Sequence, residues 1–338
     1  MLLRGKDVAK ILGVSESTIS IVVNNRPGVS DARRQEIIQK MKEMGCGYLL
    51  RENIAEKDSV GFVVYKRKGS IVDESPFFSY FLEGISDRLR ELNYKLNLFY
   101  MNANMSRSEQ MDVIRGSKCA AFIIFAVEMI YEDMQVFKDS GYPFVMLDNS
   151  FVVNDVDTVS INNFSGIKKA VNYLTQMGHQ RIGYIQSKVS INSFDDRFTA
   201  YKRILSSSGL PFDDAMVVPV GYSDAEARKD MREYILGHKD NLPDAFLSDN
   251  DLVACGALKG IEDAGLKVPD DISLIGFDDR PIASMITPAL TTMMVPKDIF
   301  GNKCVDLLID RIQTKRQYSL KVDVGTVLIE RETVKKIN

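Results

Sequence analysis

The sequence has no tryptophan, only two histidines and only four cysteines in 338 residues. Two histidines, His179 and His238, give little material for acid–base catalysis, and His179 falls in a Gly178–Gly183 connection that reads as a structural turn. Cys46, Cys119, Cys255 and Cys304 lie far apart without metal-ligand spacing, so the expectation is four reduced, buried, small apolar residues. No Gly-x-Ser-x-Gly elbow, Walker loop or Gly-x-Gly-x-x-Gly run occurs. The adjacent acids Asp278 and Asp279 would point to opposite faces of a strand. The expectation is therefore no enzyme, no cofactor and no metal. Long apolar runs are also missing. The longest, Cys119–Val127, falls short of the roughly 20 residues a membrane span needs. The Met-Leu-Leu-Arg start is charged again at Lys6 and Asp7, which leaves no apolar signal core and points to the cytoplasm.

Net charge is nearly absent as well, at −3, but the total hides a segregation. Residues 1–51 hold nine Lys/Arg against five Asp/Glu, or +4, and the remainder carries −7. A small basic head on a larger acidic body points to a nucleic-acid module. The length suggests two or three domains at roughly 150 residues each. With 45% hydrophobic and 26% charged residues, the composition is that of a globular protein.

The head reads as three short helices. Val8, Ile11 and Leu12 give one apolar face, and Gly13 stops the first helix. Ser15 is placed to cap the second, which turns Ile19, Val22 and Val23 inward. Ser30 is placed to cap the third, with Ile37, Met41 and Met44 on one face. Two helices separated by Gly13-Val14-Ser15 form a helix-turn-helix, whose second helix suits a major groove. The alternative from the pattern alone is a plain helical bundle. Glu16, Ser17, Ser20 and Ile21 face outward. Glu16 suits a cytosine amino group and Ile21 a thymine methyl. Ser15, Thr18, Asn24, Ser30, Arg33 and Arg34 suit phosphates, with capping as the alternative for Ser15 and Ser30.

Asp7-Val8-Ala9, Gly13-Val14-Ser15, Thr18-Ile19-Ser20, Val23-Asn24 and Val29-Ser30 together resemble the headpiece of the lac repressor (LacI/GalR) family. Most members carry Arg or His at the Ile21 position, so the resemblance implies a different operator preference. Members follow the headpiece with an Ala-Arg-x-Leu-like hinge helix that wedges a leucine into the minor groove. Here residues 47–59 look about three residues short and lack that motif. Leu49, Leu50 and Ile54 are the candidate wedges, and a plain tether is the alternative.

From Ser59 onward, short β-rich runs alternate with helical stretches. Ala120–Ala126 has the continuous apolar character of a parallel strand buried on both faces. Ser106–Glu109 and Ser223–Glu226 are capping boxes. The alternation means two doubly wound α/β lobes, with Thr158–Ile161 opening the second. A tail helix, Lys297–Thr314, and a strand, Thr326–Glu330, return across both. In sheets of this kind ligands bind at the carboxyl ends of the strands.

The runs Gly178–Gly183, Pro269–Asp279 and Pro288–Thr292 extend the resemblance over almost the whole chain, and beyond the family to the periplasmic sugar-binding proteins. It implies an all-α headpiece (1–46), a linker (47–59) and a periplasmic-binding-protein-like effector domain of type I. The first lobe takes 60–158 and 291–319, the second 159–290 and 320–338. Positions matching Asp148, Arg197, Asn250 and Asp278 bind effector in the family, and Ser193 stands where a helix begins. Phe77, Phe78 and Tyr222 fall at aromatic positions of the family's pocket. Carboxylates and amides bracketing an arginine suit a polyol, because each hydroxyl both donates and accepts. Nucleobase-binding relatives carry an Arg two residues before the Ser193 position, and here Ile191 stands there, which favours a sugar. The resemblance implies a homodimeric repressor that binds double-stranded operator DNA under control of that effector. The alternatives are control by a protein corepressor and a solute-binding protein.

Overall fold

Three helices, α1 (Gly5–Leu12), α2 (Glu16–Val23) and α3 (Asp31–Glu43), open the computed structural model. It describes residues 4–23, 28–46, 59–74, 77–149, 151, 155–314 and 316–337. Gly13 ends α1 in the left-handed conformation, φ 65°, which a residue without Cβ adopts at no steric cost. Val8, Ala9, Ile19, Val22, Ile37 and Met41 bury together as the small core of the head. Ile11 was expected on the inner face but is 57% exposed. The buried face of α1 runs through Val8 and Ala9, with Leu12 against it, and Ile11 lies off that line.

The body holds two six-stranded sheets. The first contains β1 (Ser59–Lys66), β2 (Lys95–Asn102), β3 (Ala121–Phe125), β4 (Phe144–Leu147) and β5 (Asp157–Ile161). Helices α4 (Ser79–Glu91), α5 (Arg107–Gly116) and α6 (Gln135–Ser140) connect them. The second lobe starts at α7 (Asn163–Gln176) and alternates β6 (Ile182–Ser187), α8 (Asn192–Ser207), β7 (Val217–Val220) and α9 (Asp224–Gly237). It continues through β8 (Ala245–Ser248), α10 (Asp251–Asp263), β9 (Ser273–Asp278), α11 (Pro281–Met285) and β10 (Thr291–Met294). Then α12 (Lys297–Thr314) and β11 (Lys321–Val324) return to the first lobe, and β12 (Val327–Ile329) returns to the second.

The sheet orders are β11-β5-β4-β3-β1-β2 and β12-β10-β9-β8-β6-β7. Every pairing is parallel except β10 with β12. The two lobes share a packing device. Gly61 on β1 pairs with Phe122 on β3, and Gly183 on β6 pairs with Phe246 on β8. A Cβ on either glycine would stand 2.6 Å or 2.5 Å from the neighbouring ring, so each glycine is the space its phenylalanine fills.

The expected lobe boundaries need correction. Strand β5 belongs to the first sheet, β10 to the second and β11 to the first. The chain therefore crosses between lobes after Ile161, after Met294 and after Val324. The expected divisions at 158/159, 290/291 and 319/320 each fall a few residues early. The reason is that short strands buried on both faces carry no lobe label of their own, and only pairing assigns them. Strands β10 and β11 had not been expected at all, being four residues each.

One ionic cluster ties β5, β11 and α12 together. Asp157 accepts from Arg311 Nε at 2.7 Å, from Arg316 Nη1 and Nη2 at 2.7 and 2.8 Å, and from the Leu320 amide at 2.7 Å. Burial raises its pKa, but the two guanidinium groups outweigh that and hold it below the ordinary carboxyl value. Asp157→Ala takes the shared carboxylate from two arginines, leaving Arg316, with a 4% exposed side chain, only Asp310 as a counter-charge and Arg311 only main-chain carbonyls. We expect a loss of about 3 kcal/mol at pH 7 in denaturant unfolding. A lowered carboxyl pKa adds stability above the unfolded value and loses it as the pH falls through the folded one. The wild-type advantage must therefore shrink in acid, and an equal advantage at low pH would contradict the assignment.

Candidate functional sites

In the head, hydroxyls cluster at the start of α2. Ser15 Oγ accepts from the Thr18 amide at 3.0 Å and lies 2.7 Å from Ser17 Oγ and 2.8 Å from Thr18 Oγ1. Ser15 is thus an N-cap, and the positive end of α2 points outward through it. Glu16, Ser17 and Ser20 are exposed along the same side; Thr18 and Ile21 are half-buried. Ile21 rests against Gly28, where an added Cβ would meet its Cδ1 at 3.3 Å. Ser30 and Arg33 are exposed, and Arg33 pairs with Glu36 at 2.6 Å. Arg34, expected on phosphate, is buried and donates to the Ile21 carbonyl at 3.4 Å, so it braces α3 against α2 instead. Asn24 and the linker candidates Leu49, Leu50 and Ile54 lie outside the described residues.

In the body, the carboxyl ends of both sheets face one cleft. The lobes are nearly closed on it, leaving a cavity of about 20 Å³, room for about one water. Phe77, Asp148, Ser193, Arg197, Tyr222, Asn250 and Asp278 all line it. Phe78 does not. Its ring packs at 5.9 Å from Phe125 and 6.5 Å from Phe62, in the core behind the wall. Phe77 and Phe78 are adjacent at the head of α4, so their side chains diverge and only one reaches the cavity.

Arg197 is the centre of the second lobe's wall. Its Nε donates to Asn163 Oδ1 at 2.9 Å, Nη1 to the Asp249 carbonyl, and Nη2 to Asp278 Oδ1 at 3.3 Å. The guanidinium lies 3.7 Å from the Phe277 ring centroid. Asp278 Oδ2 accepts from Arg280 Nε at 3.2 Å, and Arg280 lies 5.0 Å from the Phe77 ring of the other lobe. Asn250 caps α10, its Oδ1 accepting from the Val253 amide at 3.0 Å while Nδ2 donates to Tyr222 Oη at 3.3 Å. Its carbonyl oxygen is thereby committed to the helix. A direct bond also crosses the cleft: Asn192 Nδ2 donates to Asn149 Oδ1 at 2.7 Å. Among the residues not anticipated, Arg280 matters most. It stands two positions beyond Asp278, immediately after the matching run Pro269–Asp279, and that proximity was the available signal. Ile71, Phe125, Val127, Ile191 and Phe194 complete an apolar lining.

Asp148 is different in kind. It is 4% exposed, and its Oδ1 has no hydrogen-bond partner. Burial pushes its pKa up to about 7, with Arg197 and Arg280 opposing and Asp278 reinforcing. Its φ is 62°, and Asp278 and Asp279 also take positive φ, 105° and 51°. Lys297 holds that strained turn by donating to the Asp278 and Asp279 carbonyls at 3.0 and 2.7 Å. Asp249 and Asp251 are likewise raised to about 7 by burial. No group of three or more His, Cys, Asp or Glu among the described residues could hold a metal ion. None of the described helices is long and apolar enough to cross a membrane.

Residues 6–47 match the model of bacterial regulatory proteins of the lacI family, and 171–334 match a periplasmic binding protein-like domain. The chain belongs to the LacI family. Its relatives in that family include proteins named HTH-type transcriptional repressor PurR. The one from Erwinia tasmaniensis is 28% identical over 97% of this chain and 96% of its own length. The one from Pasteurella multocida is 26% identical over 98% of each. Solved LacI-family structures share the fold. The transcriptional regulator CelR–cellobiose complex superposes with a TM-score of 0.73 at 24% identity, over 98% of this chain and 99% of that one. The lac repressor dimer bound to operator and the anti-inducer ONPF gives 0.71 at 22%, over 99% and 100%. A LacI-family regulator from Enterococcus faecium with bound ribose gives 0.70 at 24%, over 83% and 100%. The chain is a DNA-binding transcriptional regulator and not an enzyme.

The Asp148 geometry makes a stability prediction. A raised carboxyl pKa contributes stability below the unfolded value, near 3.8, that is lost as the pH rises through about 7. Asp148→Asn removes that loss, and Asn tolerates positive φ. The variant should melt a few degrees above wild type at pH 8, with the difference shrinking toward pH 4. A variant less stable than wild type at pH 8 would show that the Asp148 carboxylate is satisfied after all.

Proposed function

We propose that the protein is a cytoplasmic, homodimeric repressor whose operator affinity is set by a neutral sugar bound between the lobes. The observation that carries the reading is the unpartnered Oδ1 of the buried Asp148 carboxyl in a cleft whose arginines are already engaged. What such a wall lacks is hydrogen-bond donors, and polyol hydroxyls bring them. Phe77, Phe125, Phe194 and Tyr222 offer flat apolar surfaces for the C–H faces of a sugar ring. Ile191 places an apolar side chain on the same wall. The neighbours solved with cellobiose and ribose support a sugar by analogy, and the analogy is one of fold.

The regulatory step is a population shift. Sugar bridging Asp148 on one lobe to Asp278 and its neighbours on the other favours one lobe angle. Paired heads joined to the first lobe through residues 47–58 then gain or lose the spacing that two operator half-sites demand. In the head, Glu16, Ser17, Ser20 and Ile21 read bases; Ser15, Thr18, Asn24, Ser30 and Arg33 lie on phosphates; Leu49, Leu50 and Ile54 serve the hinge.

Selection from random oligonucleotides should enrich one pseudo-palindromic sequence, with affinity falling steeply as salt rises. No enrichment, or a flat salt response, would remove the repressor reading. A thermal-shift panel of neutral sugars, sugar phosphates and nucleobases should give stabilisation by a neutral sugar. Asp148→Asn should keep operator affinity and lose about tenfold in affinity for that sugar. Stabilisation by a sugar phosphate or a nucleobase instead would overturn the neutral-sugar assignment.

A further inference from the structure

The connection from β1 to α4 forms part of the first lobe's wall, and its backbone folds around a single side chain. Glu128 follows Val127, a cavity residue, in the loop after β3, and it is 8% exposed. Its Oε2 accepts from the amides of Arg67, Lys68 and Gly69 at 2.8, 3.0 and 2.8 Å. Its Oε1 accepts from the amides of Ile71 and Val72 at 2.8 and 3.1 Å. Five main-chain N–H groups thus converge on one carboxylate, the arrangement with which backbone nests bind anions. The anion is supplied here by the chain itself. Ile71, whose amide is one of the five donors, turns its side chain to the cavity. Arg67 Nη1 donates to both carboxylate oxygens of Asp133 at 2.8 and 2.7 Å, which ties the outer side of the connection to the segment just beyond Glu128.

We propose that Glu128 is the positioning residue of the cleft: its carboxylate is the internal anion that folds residues 67–72 and holds Ile71 at the height where the effector packs. The role differs from that of the residues lining the cavity, because Glu128 acts only through the loop. Burial opposes its ionisation, and the amide donors outweigh burial, so its pKa lies below the ordinary carboxyl value. The carboxylate is therefore ionised throughout the neutral range. Glutamine in its place has one acceptor oxygen where two are used, and sets an NH₂ group against amide donors.

The inference rests on the cleft being the effector site, and the test separates the two. Hydrogen exchange of the full-length protein should show residues 67–72 protected in wild type and exposed in Glu128→Gln, with the strands of both sheets unchanged. In Glu128→Ala, added formate should refill the nest and restore protection, while formamide, neutral and of similar size, should not. The panel sugar that stabilises wild type should bind Glu128→Gln about tenfold more weakly, and formate should restore affinity to Glu128→Ala. Operator affinity without sugar should be the same in all three proteins. Wild-type protection of 67–72 in Glu128→Gln, equal rescue by formamide, or unchanged sugar affinity would each overturn the proposal. If no sugar stabilises wild type, the reading of the cleft fails. Exchange at 67–72 then decides alone whether Glu128 organises this wall.

Discussion

The second lobe is organised around one buried guanidinium. Arg197 is 2% exposed and bonds Asn163 at the start of α7, the Asp249 carbonyl beyond β8, and Asp278 at the end of β9. Three connections that diverge in sequence are therefore pinned by one planar group lying on Phe277. Burying such a charge is costly, and a hydrophobic replacement of the same shape can leave a fold as stable or more so. The gain is geometric. A fork with fixed N–H directions sets where each strand end stops, and that placement creates a cavity with a defined shape. Asp278, strained at φ 105°, is held in that conformation by Arg197 and Arg280 on its side chain and Lys297 on its carbonyl.

Against that ordered wall, the first lobe presents an unsatisfied one. Asp148 stands opposite Asp278 with a bare oxygen, and both are carboxylates. Closing the lobes therefore brings like groups together in a region of low dielectric, where the repulsion is strong. Arg197 and Arg280 offset part of this, and Arg280 adds a contact to Phe77 across the cleft. The Asn192–Asn149 bond favours closure as well. The closed arrangement is a balance of opposing terms, which is what a ligand of modest affinity can tip. A cleft satisfied on both sides would close without ligand, and one repelled without compensation would stay open with it.

How far this was legible in the sequence depended on the range of the interactions. The capping boxes at Ser106 and Ser223 form as their spacing indicated, and α12 spans Lys297–Thr314 as its pattern indicated, because both are decided within a few residues. The assignment of β5, β10 and β11 to lobes was not legible. Four- and five-residue strands carry no mark of which sheet they join, and partners such as Lys321 and Thr158 are far apart in sequence. At the site, seven of the eight expected residues line the cavity: strand ends and helix starts pointed to the five polar ones, and the family resemblance alone to Phe77 and Tyr222. Phe78 failed because a residue's direction at a helix start depends on backbone rotation. Arg34 failed because a basic residue in a basic head was read as solvent-facing, and Ile11 because an eight-residue helix fixes its face only by packing. Glu128 left no signal, since five amides turning toward one carboxylate is a property of loop backbone that residue types do not encode.

The same loop bears on how the cleft communicates with the head. The chain enters the first lobe at Ser59, the amino end of β1, and leaves β1 at Lys66, directly before the amides that bind Glu128. Eight residues of strand span about 26 Å. One rigid, buried element thus runs from the start of the lobe at Ser59 to the wall of the cleft. Strands cannot stretch, and β1 is flanked by β2 and β3 along its length. A displacement of the wall relative to the second lobe must then appear at Ser59 as a rotation of the lobe and not as a local adjustment. The chain passes between the lobes at the three crossovers after Ile161, Met294 and Val324, and a rotation of one lobe against the other would have to turn about them. The Asp157–Arg311–Arg316 cluster binds the first and last of the strands they join, β5 and β11, to α12. It braces the first lobe beside the first and last of the three crossovers.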